Sequence, residues 1–318
     1  MKAAIVLGAS KPPIYGDFEE PIPSGGERLV AVVASALSPL TRSRASGAHY
    51  SSSGRFPFVA GVDGVGRLDD GRRVYFFLPR DPFGGMAEEA VAPSAQCVGV
   101  PDGLDDVAAA AIANPGMSSW VAFKQRAELK AGETVLINGA TGTAGRLAIQ
   151  IAKHLGAKRI VATGRNVETL RSLEALGADA TIPLVENQEA LESAFEGQFA
   201  SGVDVVIDYL WGESAERLLR AAAKAGDEST NLRFVQVGSA SGSNIALSSA
   251  ILRSRSIVLM GSGLGSVPND RLVAGIGELM RAAVAGGFRI ATKAAPLAEV
   301  EREWSRDAGA ARVVFTVG

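Results

Sequence analysis

The residues with the plainest chemical use lie at 139–145, where Gly139, Gly142 and Gly145 are interleaved with Thr141, Thr143 and Ala144 in the run NGATGTAG. That spacing suits a phosphate. Three glycines let the chain turn sharply, approach an anion closely and pack a following helix against a preceding strand. Residues 134–138, with Val, Leu and Ile in succession, read as a short buried strand. From Thr143 onward Leu147, Ile151 and Leu155 recur at helical spacing, and Gly156 is placed to end the last turn. A helix starting there presents unpaired N–H groups and the positive end of its dipole, so a pyrophosphate is bound without a charged side chain. The glycine pattern alone also occurs in ordinary turns; the strand before it and the helix after it make it a nucleotide-binding turn.

The next group that bears on chemistry is Thr163-Gly164-Arg165-Asn166. Dinucleotide domains choose their cofactor about 20 residues past the glycine turn, where an acidic residue binds the ribose 2′-OH of NAD. Here no carboxylate opposes a 2′-phosphate, and the planar fork of Arg165 can bind one bidentately, which favours NADPH. An Arg at such a place is also an ordinary solvated loop residue. Gly238, Ser239 and Gly242 follow a further strand, at the end where open α/β sheets bind ligands. A glycine-serine turn would serve any loop equally.

These groups need a scaffold. A chain of 318 residues exceeds one ordinary core and predicts two domains. With 47% hydrophobic and 21% charged residues and a net charge of −2, the composition is that of a globular protein with no basic stripe for nucleic acid. One cysteine, Cys97, excludes an intrachain disulfide framework and, with only His49 and His154, argues against a protein-ligated zinc. A reducing cytoplasm fits. The apolar run near the N-terminus is too short for a signal peptide and is followed by Pro12 and Pro13, so a first strand is expected there. No apolar run reaches the roughly 18 residues of a membrane span.

Residues 1 to about 110 read as β-rich, with runs at 3–7, 28–34, 62–68, 73–77 and 88–91 between Pro, Gly and Ser clusters, the spacing of a small antiparallel barrel or sandwich. A helix is expected over 105–113, a break at Asn114-Pro115-Gly116, and a second helix over 118–129. Strands at 159–163, 180–183, 203–209, 233–237 and 257–260 then alternate with helices at 168–176, 188–196 and 214–225. That alternation gives a parallel sheet covered on both faces, a doubly wound nucleotide-binding domain. A long helix over 271–285, a segment at 289–293, a helix over 297–307 and a strand at 312–317 return to the first domain.

The order of these motifs resembles the zinc-independent quinone oxidoreductases of the medium-chain dehydrogenase/reductase superfamily, related to zeta-crystallin. The parts that carry the resemblance span the chain: Gly61-Val62-Asp63-Gly64-Val65-Gly66, Gly84-Gly85-Met86-Ala87-Glu88, the stretch 114–120, the NGATGTAG turn, Leu176-Gly177-Ala178-Asp179, 204–208 and Val237-Gly238-Ser239. The resemblance implies an α/β protein. A GroES-like β-barrel catalytic domain would be built from 1–112 and 268–318, a Rossmann NADP-binding domain would occupy 113–267, and the active site would lie in the cleft between them. It also implies a homodimer, for which the apolar run 257–260, late in the sheet, offers an edge.

Departures from the family pattern are informative. Val62 stands where zinc-dependent relatives carry a His, and their four-cysteine lobe is missing, so no metal site is expected. The segment 35–50 resembles the family's substrate-side loop, with Ser38-Pro39 in place of Asn-Pro and Thr41 in the acidic place; the family Tyr corresponds to His49 or to Tyr50. The loop between Gly66 and Arg73 is short for the family, and Pro183 lies where a Tyr often helps hold the 2′-phosphate.

The chemistry implied is hydride transfer to a conjugated carbonyl, for which the cofactor supplies the hard step and the protein supplies orientation and electrostatics. Negative charge grows on the acceptor oxygen, and Ser38, Thr41 and Tyr50 are the hydroxyls that resemblance places near it. Each could instead satisfy a turn or a cap. Asn114 and Ser118 resemble positions near the nicotinamide ribose, or form a helix break and its cap. Asp63 is expected to be a structural acceptor, and Asp105-Asp106 and Glu88-Glu89 to be solvated. Three readings stay open: quinone reduction, reduction of enone or enal double bonds, and NADPH binding without catalysis.

Overall fold

The computed structural model describes residues 1–9, 11–185, 187–226, 230–306, 309 and 311–318. The chain divides into two compact units, Met1–Asn114 with Asp270–Gly318, and Pro115–Asn269.

In the first unit β1 (Lys2–Val6) pairs with β2 (Ile14–Asp17) and, after β3 (Glu27–Ala36) and a short helix α1 (Pro39–Ala45), with β4 (Phe58–Val59). The ten-residue β3 is the hub of a larger sheet, flanked by β5 (Asp63–Arg67) and β7 (Glu89–Pro93); β6 (Arg73–Phe77) and β8 (Cys97–Gly99) continue it. Val30 and Val32 of β3 pack with Val74 and Phe76 of β6 in one cluster, while β5, β6 and β7 are buried at successive positions, so both faces of this part of the sheet are covered.

Helix α2 (Asp106–Val121) runs unbroken through Asn114-Pro115-Gly116, where the sequence predicts a break. Pro115 lacks an N–H and would normally end a helix. Here the residues around it, Ala109–Ala113 and Met117, are buried, and tertiary packing overrides the local preference. Ser118 therefore lies inside the helix, its hydroxyl donating to the Pro115 carbonyl, and does not cap a new one.

The second unit contains β9 (Thr134–Asn138), α3 (Thr143–His154), β10 (Arg159–Gly164), α4 (Val167–Ser172), β11 (Ala180–Pro183), α5 (Gln188–Ala200), β12 (Val205–Asp208), α6 (Gly212–Ala225), β13 (Leu232–Gln236), α7 (Ser249–Ser254) and β14 (Ile257–Gly261). Its six strands are all parallel, in the order β11-β10-β9-β12-β13-β14, a Rossmann-like sheet. β9 is buried throughout, as a central parallel strand covered on both faces must be. Phe195 and Phe199 of α5 and Leu218 and Leu219 of α6 pack on Leu136, Val161, Val206 and Phe234 of the sheet. At roughly 1.5–3 kcal/mol for each large apolar side chain buried, this layer supplies much of the unit's stability.

The chain returns to the first unit in α8 (Asn269–Gly286), β15 (Thr292–Pro296), α9 (Val300–Trp304) and β16 (Arg312–Thr316). β16 pairs antiparallel with β3 and parallel with β15. The segment expected at 289–293 becomes a strand shifted toward Pro296. The helix expected over 297–307 is a 3-10 turn at Leu297–Glu299 followed by the single turn of α9, and its expected end at Asp307 lies outside the described residues. The structure adds α1, β2, β4, β8 and α7, which the sequence pattern does not flag. All are short, and their local patterns are too brief to register as periodicity.

Candidate functional site

The three glycines after β9 do three different jobs. Gly139 has a φ of 89°, a conformation open to glycine. A Cβ at Gly145 would stand 2.5 Å from the Ala140 Cα and 2.6 Å from the Gly139 carbonyl oxygen, so only glycine lets α3 pack this tightly on the turn. Gly142 is the N-cap of α3, where a Cβ would meet only the Gly139 carbonyl oxygen at 3.8 Å, and it offers no side-chain cap.

The backbone donors divide accordingly. Gly139 N–H donates to Thr163 Oγ1 at 3.2 Å and Ala140 N–H to the Thr163 carbonyl at 2.8 Å, so the turn's first two amides are spent on β10. Arg146 Nε braces the turn by donating to the Thr141 carbonyl at 3.1 Å. The N–H groups of Thr143, Ala144 and Gly145 open the helix, where no intrahelical acceptor exists. No acidic residue stands in the first turn. An uncapped twelve-residue helix with this shape fits a pyrophosphate.

Beneath the turn runs a buried polar chain. Thr163 Oγ1 donates to Asn138 Oδ1 at 2.6 Å, and Asn138 Nδ2 donates to Asp208 Oδ1 at 2.8 Å and to Ser214 Oγ at 2.9 Å. Burial pushes the Asp208 carboxyl above its ordinary range, against the Leu210 and Trp211 amides and the Asn138 amide, which favour its charged form. Tyr209 is partly buried, and desolvation raises its phenol; its hydroxyl shares a 2.7 Å hydrogen bond with Ser119, which also donates to the Ala144 carbonyl at 3.2 Å. Asn138, Asp208, Tyr209 and Ser119 are not among the sequence-predicted site residues, and Thr163 enters there only as the start of the 163–166 corner. A signal existed for three of them: TVLIN and VVID are apolar strands that end on polar residues, and RIVATG carries Thr163 one residue before its end.

At the end of β10, Gly164 closes on Thr141, whose Cγ2 would be 2.4 Å from a Cβ there. Arg165 is exposed. Asn166 caps α4, its Oδ1 accepting from Thr169 N–H at 2.8 Å. Past β13, Gly238 lies against the Tyr209 carbonyl and Gly242 against Gly212, with Ser239 exposed. The sheet thus brings the 139–145 turn, the 164–166 corner and the 238–242 loop to the carboxyl ends of β9, β10 and β13, with β12 between β9 and β13.

In the first unit, Ser38 and Thr41 are buried together at the start of α1. Ser38 Oγ accepts from Thr41 N–H at 2.9 Å, and the two hydroxyls share a second bond of 2.9 Å. Tyr50 is 73% exposed, and its ring lies 4.1 Å from that of His49. Asp63 is fully buried; its Oδ2 accepts from the Tyr75 hydroxyl and from Asn114 Nδ2, each at 2.8 Å. Burial raises the Asp63 carboxyl, against the buried Arg312 and these two donors. Among the described residues, no three His, Cys, Asp or Glu side chains are grouped as metal ligands.

A family model for zinc-binding dehydrogenases matches residues 144–274. A probable NADPH-dependent quinone reductase of Emericella nidulans is 30% identical over 99% of this chain and 99% of that protein. A quinone oxidoreductase of Lama guanicoe is 30% identical over 71% of this chain and 68% of that protein. Among solved structures, the quinone oxidoreductase of Thermus thermophilus, described with its NADPH complex, superposes with a TM-score of 0.82 at 26% identity, covering 99% of this chain and 100% of that one. The Rossmann-like parallel sheet, the separate sheet unit and a full-length relative at this identity agree: the chain belongs to the quinone oxidoreductases of the medium-chain dehydrogenase/reductase superfamily.

Proposed function

We propose that the protein is an NADPH-dependent, zinc-independent oxidoreductase that delivers hydride to a quinone or another α,β-unsaturated carbonyl. The uncapped N-terminus of α3, with three N–H groups that have no intrahelical acceptor and no acidic residue in its first turn, carries the reading. Thr143, Ala144 and Gly145 would hold the pyrophosphate through backbone N–H groups, flanked by Thr141 and Gly142. Arg165, Gly164 and Asn166 border the adenosine end, where Arg165 would pair with the 2′-phosphate. Gly238, Ser239 and Gly242 would flank the dinucleotide at the end of β13, and Asn114 and Ser118 the nicotinamide ribose.

When bound, reduced nicotinamide supplies a hydride. Ser38, Thr41 or Tyr50 would donate to the acceptor oxygen as charge grows there. With a quinone, the two-electron product takes up a proton to become the hydroquinone; with an enone, hydride enters at the β-carbon and a proton follows at the α-carbon. Neither route requires a metal, and Val62 in the place of a metal-ligating His supports a reaction without one.

The same reading includes a cytoplasmic homodimer. β14 is an outer strand of the parallel sheet and exposes Val258 at 42%, so a second copy would cover an apolar edge. No helix among the described residues is long and apolar enough to cross a membrane.

The test is nicotinamide absorbance at catalytic enzyme concentration with a quinone, an enone and, as control, an alcohol with NADP⁺. Turnover with either of the first two supports the proposal. Tight NADPH binding with no turnover on a broad acceptor panel replaces it with a binding protein.

A further inference from the structure

We propose that Asp208 is the positioning residue of the cofactor site, its single buried carboxylate holding the glycine turn and the 238–242 loop in register. The inference rests on the dinucleotide reading above and deepens it.

The segment after β12 has an unusual backbone. Trp211 has φ 56° and ψ −159°, a region glycine adopts and other residues avoid, and Gly212 follows with φ 63°. What holds Trp211 there is Asp208, which accepts from Leu210 N–H at 3.0 Å and from Trp211 N–H at 3.2 and 3.1 Å on its two oxygens. A buried carboxylate that receives this many donors fixes the direction of each.

The segment it fixes touches both cofactor loops. On one side Leu210 lies against Gly139, where a Cβ would stand 2.8 Å from the Leu210 Cγ. On the other, the Tyr209 and Leu210 carbonyls accept from Ala240 and Ser241 N–H at 3.2 and 2.8 Å, and Gly212 packs on Gly242. Displacing 209–212 therefore displaces both loops.

The polar chain is also directional. Gly139 N–H donates to Thr163, Thr163 to Asn138, and Asn138 to Asp208, the one member with nothing to donate. A carboxylate near a site for phosphates would ordinarily oppose them. Asp208 is buried with its oxygens turned to donors, so it acts by holding the turn. The geometry sets up a graded test: Asn138→Asp places two carboxylates face to face, Asp208→Ala removes every acceptor, and Asp208→Asn keeps in its Oδ1 the oxygen that accepts from Asn138, Leu210 and Trp211.

NADPH and NADH affinities are measured by tryptophan fluorescence on the full chain, with circular dichroism and a ligand-free melt to establish folding. Asp208→Ala and Asn138→Asp are each expected to weaken both cofactors by about tenfold or more, equally, and Asp208→Asn to stay within about threefold of wild type. A merely structural role would lower the melt of the variants without this grading of affinity. Folded Asp208→Ala that binds both cofactors as wild type does, or Asp208→Asn no better than Asp208→Ala, overturns the inference. Should Asp208→Ala not fold, Asn138→Asp and Asp208→Asn decide: equal affinities in the two overturn the inference. Wild-type protein that fails to bind NADPH overturns the cofactor reading itself, whereas wild-type binding with unaffected variants overturns this inference alone.

Discussion

The side-chain amide of Asn114 donates to Asp63 Oδ2 at 2.8 Å, and the Tyr75 hydroxyl donates to the same oxygen at the same distance. A carboxylate accepting there fixes which end of the Asn114 amide faces it, so Oδ1 is presented on the other side as an acceptor. The arrangement follows from register. Asp63 pairs with Phe77 and Tyr75 with Val65, which puts Asp63 and Tyr75 two residues apart on one face of the β5–β6 pair. Removing the carboxylate strands two donors and leaves the buried Arg312 without a nearby negative charge. Asp63→Leu is therefore expected to lower stability by about 3–5 kcal/mol, read by urea unfolding. A loss below about 1 kcal/mol would show that the cluster is not a unit.

Gly142 and Gly145 separate folding from binding. A Cβ at Gly145 meets backbone on two sides, so Gly145→Ala should cost about 1–3 kcal/mol and also weaken NADPH. A Cβ at Gly142 meets nothing closer than 3.8 Å. Gly142→Ala should stay within about 1 kcal/mol of wild type, yet lose affinity, because its methyl enters the space before the open amides. Melting and NADPH titration of the two variants check this; equal losses of stability would refute the division of labour.

The parallel sheet was legible because its signals are local. Apolar strands of four to six residues alternate with amphipathic helices, and the glycine turn lies within one strand-helix unit. What escaped the sequence was set at long range. Thr163, Asn138 and Asp208 lie 25 and 70 residues apart and meet because β10, β9 and β12 are neighbours. Pro115 reads as a helix breaker until the buried residues around it are seen to hold α2 together. In the candidate substrate loop, Ser38, Thr41 and Tyr50 were flagged only by the resemblance of their segment; the bond between the Ser38 and Thr41 hydroxyls and the exposure of Tyr50 depend on how the loop folds, and no periodicity describes a loop.

Two buried carboxylates of the first unit should give opposite pH signatures. Burial holds Asp63 above its ordinary value of 3.8. Its contribution is therefore full below that value and is lost as pH rises through the folded one. Glu303 is held below its ordinary value of 4.5 chiefly by its hydrogen bond to Lys293, with Arg302 and Arg306 assisting. Its contribution is present above 4.5 and lost as pH falls through the folded value. Glu303→Gln should flatten the acid limb of the stability profile, and Asp63→Asn should flatten the decline above the ordinary Asp range. Unfolding midpoints across pH for both variants read the signs; a steeper acid limb in Glu303→Gln would reverse the assignment.

Arg165 is the exposed cation at the corner after β10, beside an Asn whose side-chain oxygen is already committed to capping α4. That leaves Arg165 as the group of this corner able to meet a 2′-phosphate with a charged fork. Arg165→Ala should weaken NADPH by about ten- to a hundredfold, the range of one or two charge-assisted hydrogen bonds, and leave NADH nearly unchanged. Equal losses for the two cofactors would make Arg165 an ordinary surface residue.

Ser38 holds α1 as its N-cap and shares a bond with the Thr41 hydroxyl, so the same oxygen serves the fold and, in the proposed reaction, the acceptor. Ser38→Ala should cost about 0.5–2 kcal/mol by loss of the cap. If the hydroxyl also meets the growing charge, kcat with a quinone should fall by more than tenfold, about 1.4 kcal/mol in the barrier, at temperatures where the variant stays folded. Ser38→Thr, which keeps a hydroxyl able to cap, should recover both properties in part. Tyr50→Phe, at an exposed position, should leave stability within about 0.5 kcal/mol of wild type. A Ser38→Ala enzyme that melts earlier but turns over at the wild-type rate would confine Ser38 to the cap and leave the donor role to Thr41 or Tyr50.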